Sequence, residues 1–278
     1  TRQACYNSLM KIGILGYGKE GQSVEQYFQK HGAETKVFDH FTAETLPDLD
    51  YSDLDLVFRT PSVPPYTHWP RTSETTPPPE HWSSITRYFF AHCPAPIIGV
   101  TGTKGKGTTS SLITTLLRAL GQETYLVGNI GYPALDALDD ITANDAVVYE
   151  MSSFQLWDMQ QSPHIAVVLR IDPDHTNVHH GFEDYVNAKT NITRYQTADD
   201  TCIYYSPDSD SARIGFDSPA GHKIAYPVTD PTERRELDKI LDYLTIPGQH
   251  NRDNAEAALL AVSSFYNFSL SEFLAKYH

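Results

Sequence analysis

Residues 97–109 read Ile97-Ile98-Gly99-Val100-Thr101-Gly102-Thr103-Lys104-Gly105-Lys106-Gly107-Thr108-Thr109. A short apolar run enters a glycine-rich turn. A stretch with helical spacing leaves it and ends at Gly121. Strand, glycine turn and helix in that order aim backbone amides and a helix N-terminus at an anion, which suits phosphates. Lys106 can reach the outer phosphates as a point charge, and Thr108 or Thr109 offers a hydroxyl to Mg2+. The spacing is a variant of G-x-x-x-x-G-K-[ST], because only Thr103 and Lys104 separate Gly102 from Gly105, and Gly107 follows the lysine. Gly102, Thr103, Lys104, Gly105, Lys106, Gly107, Thr108 and Thr109 are therefore the candidate ATP-binding residues.

Downstream the α/β pattern continues. Strands are expected at 124–127, 146–150 and 164–171, with helices near 132–139, over 182–195 and over 248–265. The segment 201–226 reads as short β-like pieces and turns. Upstream lies a second unit of the same kind. Residues 11–16 form an apolar run ending in glycine, 22–31 have helical spacing, and strands are expected at 35–38 and 54–59. Residues 61–79 hold seven prolines, so they can be neither a long helix nor a central strand; they read as a surface loop. Residues 80–91 read as a helix leading out of this unit. Strands alternating with helices imply parallel βαβ units. The fold class is α/β: a Rossmann-like domain over 1–92, then a P-loop ATPase-type parallel-sheet domain over 93–278.

The chain has 278 residues, which at about 100–200 residues per domain suits two domains. Lys and Arg number 21 against 35 Asp and Glu, a formal net charge of -14. That balance argues against nonspecific binding to nucleic acid or to anionic membranes. Cys5, Cys93 and Cys202 have neither metal-ligand spacing nor the count of a disulfide framework, which fits a reducing cytoplasm. No apolar run approaches the ~18 residues of a membrane span, and Thr1–Ser8 has no apolar signal core.

Gly16-Tyr17-Gly18-Lys19-Glu20-Gly21 fits G-x-G-x-x-G, and Asp39 ends the next strand where a ribose-binding acid is expected. On pattern alone this suggests NAD, although the glycines would serve any nucleotide phosphate, or tight packing alone. Glu150 ends the strand beside the phosphate loop and is placed to hold Mg2+. His175 and His179 are spaced i, i+4, which suits zinc only on a regular helix; Pro173 and the polar run favour a loop. A single histidine near the nucleotide metal is the better reading, with His179 and His180 exposed to solvent. Spacing alone makes Lys189 an exposed helix lysine. Asn251 and Asn254 open the last helix, as purine contacts or as caps.

Together these stretches resemble the Mur ligase family, most closely its D-glutamate-adding branch. The resemblance is carried by the GTKGKGTT loop, by Gly128-Asn129-Ile130-Gly131 with Tyr-Pro-Ala-Leu after it, and by Glu150-Met151-Ser152-Ser153-Phe154-Gln155-Leu156. It continues through Asp174-His175, Ala188-Lys189 and Gly248-Gln249-His250-Asn251 to Asn254. The resemblance implies an ATP-dependent ligase of cell-wall precursor synthesis acting on UDP-N-acetylmuramoyl-L-alanine and D-glutamate, a cytoplasmic monomer. It implies Lys106, Lys189 and His175 as catalytic residues. Thr108 and Glu150 would hold one Mg2+, and His175 with a carbamylated Lys189 a second. Asn129 and Ser152 would contact the muramoyl-alanine part, and Asn251 and Asn254 the adenine end. The first glycine motif becomes a UDP site, with Gly18, Lys19 and Glu20 near the diphosphate, Asp39, His40 and Phe41 near uracil, and Thr60 in a neighbouring turn.

The sequence also departs from the family's pattern. Gly107 is more like the folate-extending relatives, Lys19-Glu20 replaces an apolar-Thr pair, and His40-Phe41 replaces Thr-Arg. The family's third, C-terminal amino-acid-binding domain is absent from the stretch given. A two-domain form that binds substrate but turns over weakly is therefore expected. The competing readings are a non-catalytic UDP-sugar module, a folate-type ligase and a dehydrogenase.

Overall fold

The computed structural model describes residues 10–40, 50–64, 81–243, 245 and 247–276. Cys5, Phe41 and most of the proline-rich stretch lie outside them. The chain divides into two compact units.

The first unit runs up to His92 and includes Pro133–Asp140. It contains β1 (Lys11–Leu15), α1 (Lys19–Lys30), β2 (Glu34–Phe38), β3 (Leu56–Arg59), β4 (Trp82–Ser84) and α2 (Ile85–His92). The sheet order is β2-β1-β3-β4, and every pairing is parallel. Central β1 is buried from Ile12 to Leu15. Val24 and Phe28, four apart on α1, are buried together, as one-sided helical spacing requires. Phe28 meets Phe58 at 5.1 Å and Tyr88 at 5.2 Å, pairs that add to the burial of their area. The expected helix over 80–91 is half right. Residues Trp82–Ser84 pair with β3, because Trp82 and two small residues cover the sheet edge, and the helix begins only at Ile85.

The second unit takes Cys93–Tyr132 and everything from Ile141 onward. Its elements are β5 (Ile97–Thr101), α3 (Lys106–Ala119), β6 (Thr124–Gly128), β7 (Ala146–Glu150), α5 (Ser153–Leu156), β8 (Ile165–Val168), α6 (Phe182–Arg194), β9 (Thr201–Tyr205), α7 (Ser209–Asp217), β10 (His222–Tyr226), α8 (Pro231–Leu241), α9 (Gln249–Phe265) and α10 (Leu270–Lys276). Helix α4 (Ala134–Leu138) lies between β6 and β7 in sequence but belongs to the first unit, where it packs on α1 and α2. Its Ala134, Leu135, Ala137 and Leu138 are all buried.

The six strands order as β10-β9-β8-β5-β7-β6, again all parallel. From β5 the chain goes first to one side of the sheet and then to the other. This makes the carboxyl end of β5 a switch point, where ligands bind in open α/β sheets. Ile98, Val100, Val148 and Val167 line the core with Ile113 and Leu117 of α3. Ala257, Ala258 and Ala261 are fully buried on α9, and these small side chains let α9 lie close to α3. The segment 201–226 is more regular than its reading as short pieces and turns. Helix α7 interrupts it, capped by Asp208, which accepts from the Ser211 amide at 2.7 Å. Gly215 lies so close to the Tyr204 ring that a Cβ there would collide with it, so the helix docks through a residue that carries no apolar signal. No single described helix is long and apolar enough to cross a membrane.

Candidate active site

The phosphate loop is pinned at both ends. Gly102 has φ +149°, and a Cβ there would stand 2.7 Å from Leu169 Cβ. The Thr103 amide donates to Arg170 O at 2.9 Å. Gly105, with φ +86°, caps α3, and a Cβ on it would strike the Asn254 amide. These two glycines are required by backbone conformation and by close approach. Thr103 Oγ1 meets Asp172 O at 2.8 Å and the Tyr185 hydroxyl at 3.0 Å. Burial pushes that phenol up to about 12, so it stays protonated.

Lys106 Nζ donates to Gly102 O and Thr103 O, each at 3.0 Å, and so curls over its own loop. Burial lowers its pKa, while Glu150 and Asp174 pull it upward. Lys104 is exposed and Thr108 half-buried. Glu150 ends β7, paired to Val100 of β5, and is 2% exposed. Its Oε1 accepts from Asn129 Nδ2 at 2.8 Å. Its Oε2 has no partner, nor do the buried hydroxyls of Thr109 and Ser110 early in α3. A Cβ on Gly107 would lie 3.5 Å from that free oxygen, so the carboxylate faces the start of α3. A buried carboxylate oxygen left without a partner and facing a helix start is the hard oxygen donor that a divalent cation takes, so Glu150 fits Mg2+. Of the two threonines, Thr109 has the buried unpaired hydroxyl.

Lys189 is not the exposed helix lysine that spacing suggests. It is 1% exposed. Its Nζ donates to Gly102 O at 2.9 Å and Thr101 Oγ1 at 3.4 Å and lies 4.6 Å from the centre of the Tyr185 ring. Burial first, then the charge of Lys106, holds it well below the ordinary lysine range, against the pull of Asp174 and Glu150. The cause of the misreading is tertiary. Helix α6 packs against β5 with the lysine on its inner face, which single-helix spacing cannot reveal.

His175 is exposed, with a left-handed φ of 51°, and its Nε2 lies 3.6 Å from Asp174 Oδ2. His179 was expected in solvent and is instead buried. Its two ring nitrogens meet Asp184 at 3.2 Å and Ser153 Oγ at 3.0 Å, while His180 is exposed. Among the described residues no group of three or more His, Cys, Asp or Glu side chains is arranged to hold a metal ion, and both ring nitrogens of His179 are taken by Asp184 and Ser153. Ser152 caps α5 in a reciprocal box with Gln155. Asn254 is buried against the loop. Asn251 Nδ2 donates to Pro247 O at 2.8 Å. Thus Lys106, Lys189, Glu150, Asn129 and Asn254 gather around one loop, with Asn251 one turn away and Ser152 engaged as a cap. Sequence reading missed Tyr185 and His179 as parts of this assembly; the aromatic run around them was the available signal.

The first unit holds a simpler site. Gly16 is left-handed, φ +83°, and a Cβ there would collide with Thr60 Oγ1, which donates to Leu15 O at 2.8 Å. A Cβ on Gly21 would collide with Gly16 O. Gly18, capping α1, faces open space. Asp39 Oδ1 accepts from the Tyr17 amide at 3.1 Å. Lys19 and His40 are exposed and Glu20 half-buried.

Residues 100–262, well over half of the chain, match the Mur ligase middle domain. The chain belongs to the Mur ligase family. It is 33% identical, over 91% of its length, to UDP-N-acetylmuramoylalanine--D-glutamate ligase of Acetivibrio thermocellus, of which the match covers 61%. It is 32% identical over 90% to the ligase of the same name from Symbiobacterium thermophilum, of which 63% is covered. The chain therefore spans less than two thirds of these relatives' length. Among solved structures, UDP-N-acetylmuramate:L-alanyl-gamma-D-glutamyl-meso-diaminopimelate ligase from Neisseria meningitides matches with a TM-score of 0.55 at 14% identity. The match covers 98% of this chain and 99% of that one, a likeness of fold. As in other α/β folds, the site described above sits on loops at the strand ends.

Proposed function

We propose that this Mur ligase chain carries the substrate- and ATP-binding parts of an amide-forming ligase that adds D-glutamate to UDP-N-acetylmuramoyl-L-alanine. ATP would phosphorylate the substrate carboxylate and leave ADP. The amine of D-glutamate would then attack the acyl phosphate through a tetrahedral intermediate and expel phosphate. A carboxylate is a poor acylating agent, and phosphorylation supplies the leaving group. Catalysis of the first step is then positioning and charge neutralisation.

The observation that carries this reading is the buried, unpartnered Glu150 oxygen facing a loop that already holds Lys106 and Lys189. Lys106 can swing from its own carbonyls onto the outer phosphates. Glu150 with Thr108 or Thr109 would hold Mg2+, which supplies charge neutralisation at the phosphates. Burial disfavours the charged form of Lys189, which favours the free amine that adds CO2 to give a carbamate anion and a proton. That carbamate with His175 would hold a second ion. Asn129 and Ser152 would face the muramoyl-alanine part, and Asn251 and Asn254 the adenine end. In the first unit Gly18, Lys19, Glu20, Asp39, His40 and Thr60 would receive UDP, the exposed Gly18 amide lying nearest the diphosphate. We assign the protein to the cytoplasm, as a monomer.

The test is calorimetric titration with UDP-N-acetylmuramoyl-L-alanine, with NADH in parallel. Saturable binding of the UDP-sugar alone is expected. Binding of NADH, or of neither, would withdraw the substrate.

A further inference from the structure

Ser153, His179 and Asp184 form a line of hydrogen bonds to which the ligase reading gives no task. His179 Nε2 meets Ser153 Oγ at 3.0 Å, and Nδ1 meets Asp184 Oδ2 at 3.2 Å. The His179 side chain is 0% exposed. A hydrolase triad has the same order, but Ser153 is itself 2% exposed at the start of α5, so no substrate reaches its hydroxyl. The arrangement holds parts in place instead.

Asp184 is the fixed end. Its Oδ2 also accepts from the His180 amide at 3.1 Å, and it sits in the first turn of α6, where a helix N-terminus favours a carboxylate. An ionised Asp184 selects the imidazole with its proton on Nδ1, so Nε2 accepts from the Ser153 hydroxyl. Ser153 lies three residues after Glu150, across the turn from β7 to α5. The far end of α5 is tied as well, because Asn191 Nδ2 donates to Leu156 O at 2.8 Å.

The same ring orders its aromatic neighbours. It stacks on Phe154 at 5.4 Å and 12°, rests on Trp157 at 4.2 Å and meets Tyr185 edge-on at 5.3 Å and 82°. Phe154 in turn touches the His175 ring at 4.9 Å, and Tyr185 holds Thr103 of the phosphate loop. His175 is one of two non-glycine residues with positive φ among the described residues, a conformation that persists only where its surroundings enforce it. The amides of Val178 and His179 both close on His175 O at 3.0 Å. His179 thus anchors the turn that carries His175.

We infer that His179 is a positioning residue of this site: through Ser153 it fixes the turn after Glu150, and through Phe154 and its own amide it fixes His175. One imidazole thereby holds both segments. This rests on the ligase reading. Partners of this kind beside a metal ligand typically change metal affinity by about 10–100-fold.

The test is binding, with Mn2+ as a probe for Mg2+. Free Mn2+ is followed by electron paramagnetic resonance with saturating ADP, and metal-free ADP affinity is measured in chelator. In His179→Ala the Mn2+ affinity is expected to fall about tenfold or more, with metal-free ADP affinity within about twofold. Ser153→Ala, which leaves the imidazole and its stack intact, should weaken Mn2+ by about fivefold, the worth of one hydrogen bond, with the chain still folded at the assay temperature. His179→Gln, whose amide reaches toward Ser153, should recover most of the loss. If His179→Ala does not fold, Ser153→Ala carries the test. Unchanged Mn2+ affinity in the folded variants overturns the inference. So does a parallel fall in metal-free ADP affinity, which would mark a general loss of structure. Failure of the wild-type chain to bind Mn2+ with ADP would instead overturn the ligase reading, and this role with it.

Discussion

The two units use the same backbone device, a parallel strand running through a glycine turn into a helix, yet they surround it differently. At the turn of the first unit Gly18, Lys19, Asp39 and His40 are exposed to solvent. Asp39 accepts from Tyr17, Thr60 donates to Leu15, and Gly18 opens to solvent. At the turn of the second unit, Lys189 and Glu150 are buried with Lys106 half-buried on the same loop, and one Glu150 oxygen has no partner. Burying charge in that way costs stability and is kept where chemistry needs it. On the function proposed above, the first turn would bind and the second would react.

The largest effect that would sharpen this contrast comes from Lys106→Ala. It should weaken Mg-ATP binding by about a hundredfold, the scale of a lost charge-assisted contact, and leave UDP-sugar affinity unchanged in calorimetry. Equal losses for both ligands would break the comparison. Next is Gly18→Leu. Because a side chain there meets open space, the fold should survive while UDP-sugar affinity drops by about tenfold from occlusion alone; unchanged affinity would mean the ligand does not approach Gly18. Lys189→Met removes a buried amine. It should raise the melting temperature by roughly 2–4 °C, read by calorimetry without bicarbonate, and abolish any carbamate signal from isotopically labelled bicarbonate in carbon NMR. A lower melting temperature would show that the hydrogen bonds to Gly102 and Thr101 outweigh the burial. The smallest effect is Ser152→Ala, which removes a helix cap worth about 1 kcal/mol. A fall in stability with unchanged UDP-sugar affinity assigns Ser152 to the cap; the reverse assigns it to the substrate.

Much of this was legible in the chain itself, and the misses have a common cause. The strands at 11–15, 97–101 and 146–150 announce themselves as short apolar runs beside glycine or acid. The phosphate loop could be read from three glycines and a lysine. What failed was whatever depends on the other side of a contact. Lys189 and His179 are polar residues at ordinary spacing, and only the packing of α6 against β5 and α5 buries them. Trp82–Ser84 pairs with a strand more than twenty residues earlier, and α7 docks through Gly215. The choice between Thr108 and Thr109 as the hydroxyl beside Glu150 was open in the sequence, because neighbouring residues at a helix start differ only in which way they face.

Helix α4 leaves the second unit's stretch of sequence to complete the first, then returns. The two units are therefore joined by three crossings of the chain rather than one. A single protease cut or recombination point near His92 cannot separate them cleanly. A fragment ending there would lack the apolar cover that Leu135 and Leu138 lay over α1 and α2, and the remainder would carry an orphaned amphipathic turn. Dissection of this protein into working halves requires moving Pro133–Asp140 as well, and gene fusions that treat residue 92 as a seam should yield insoluble pieces.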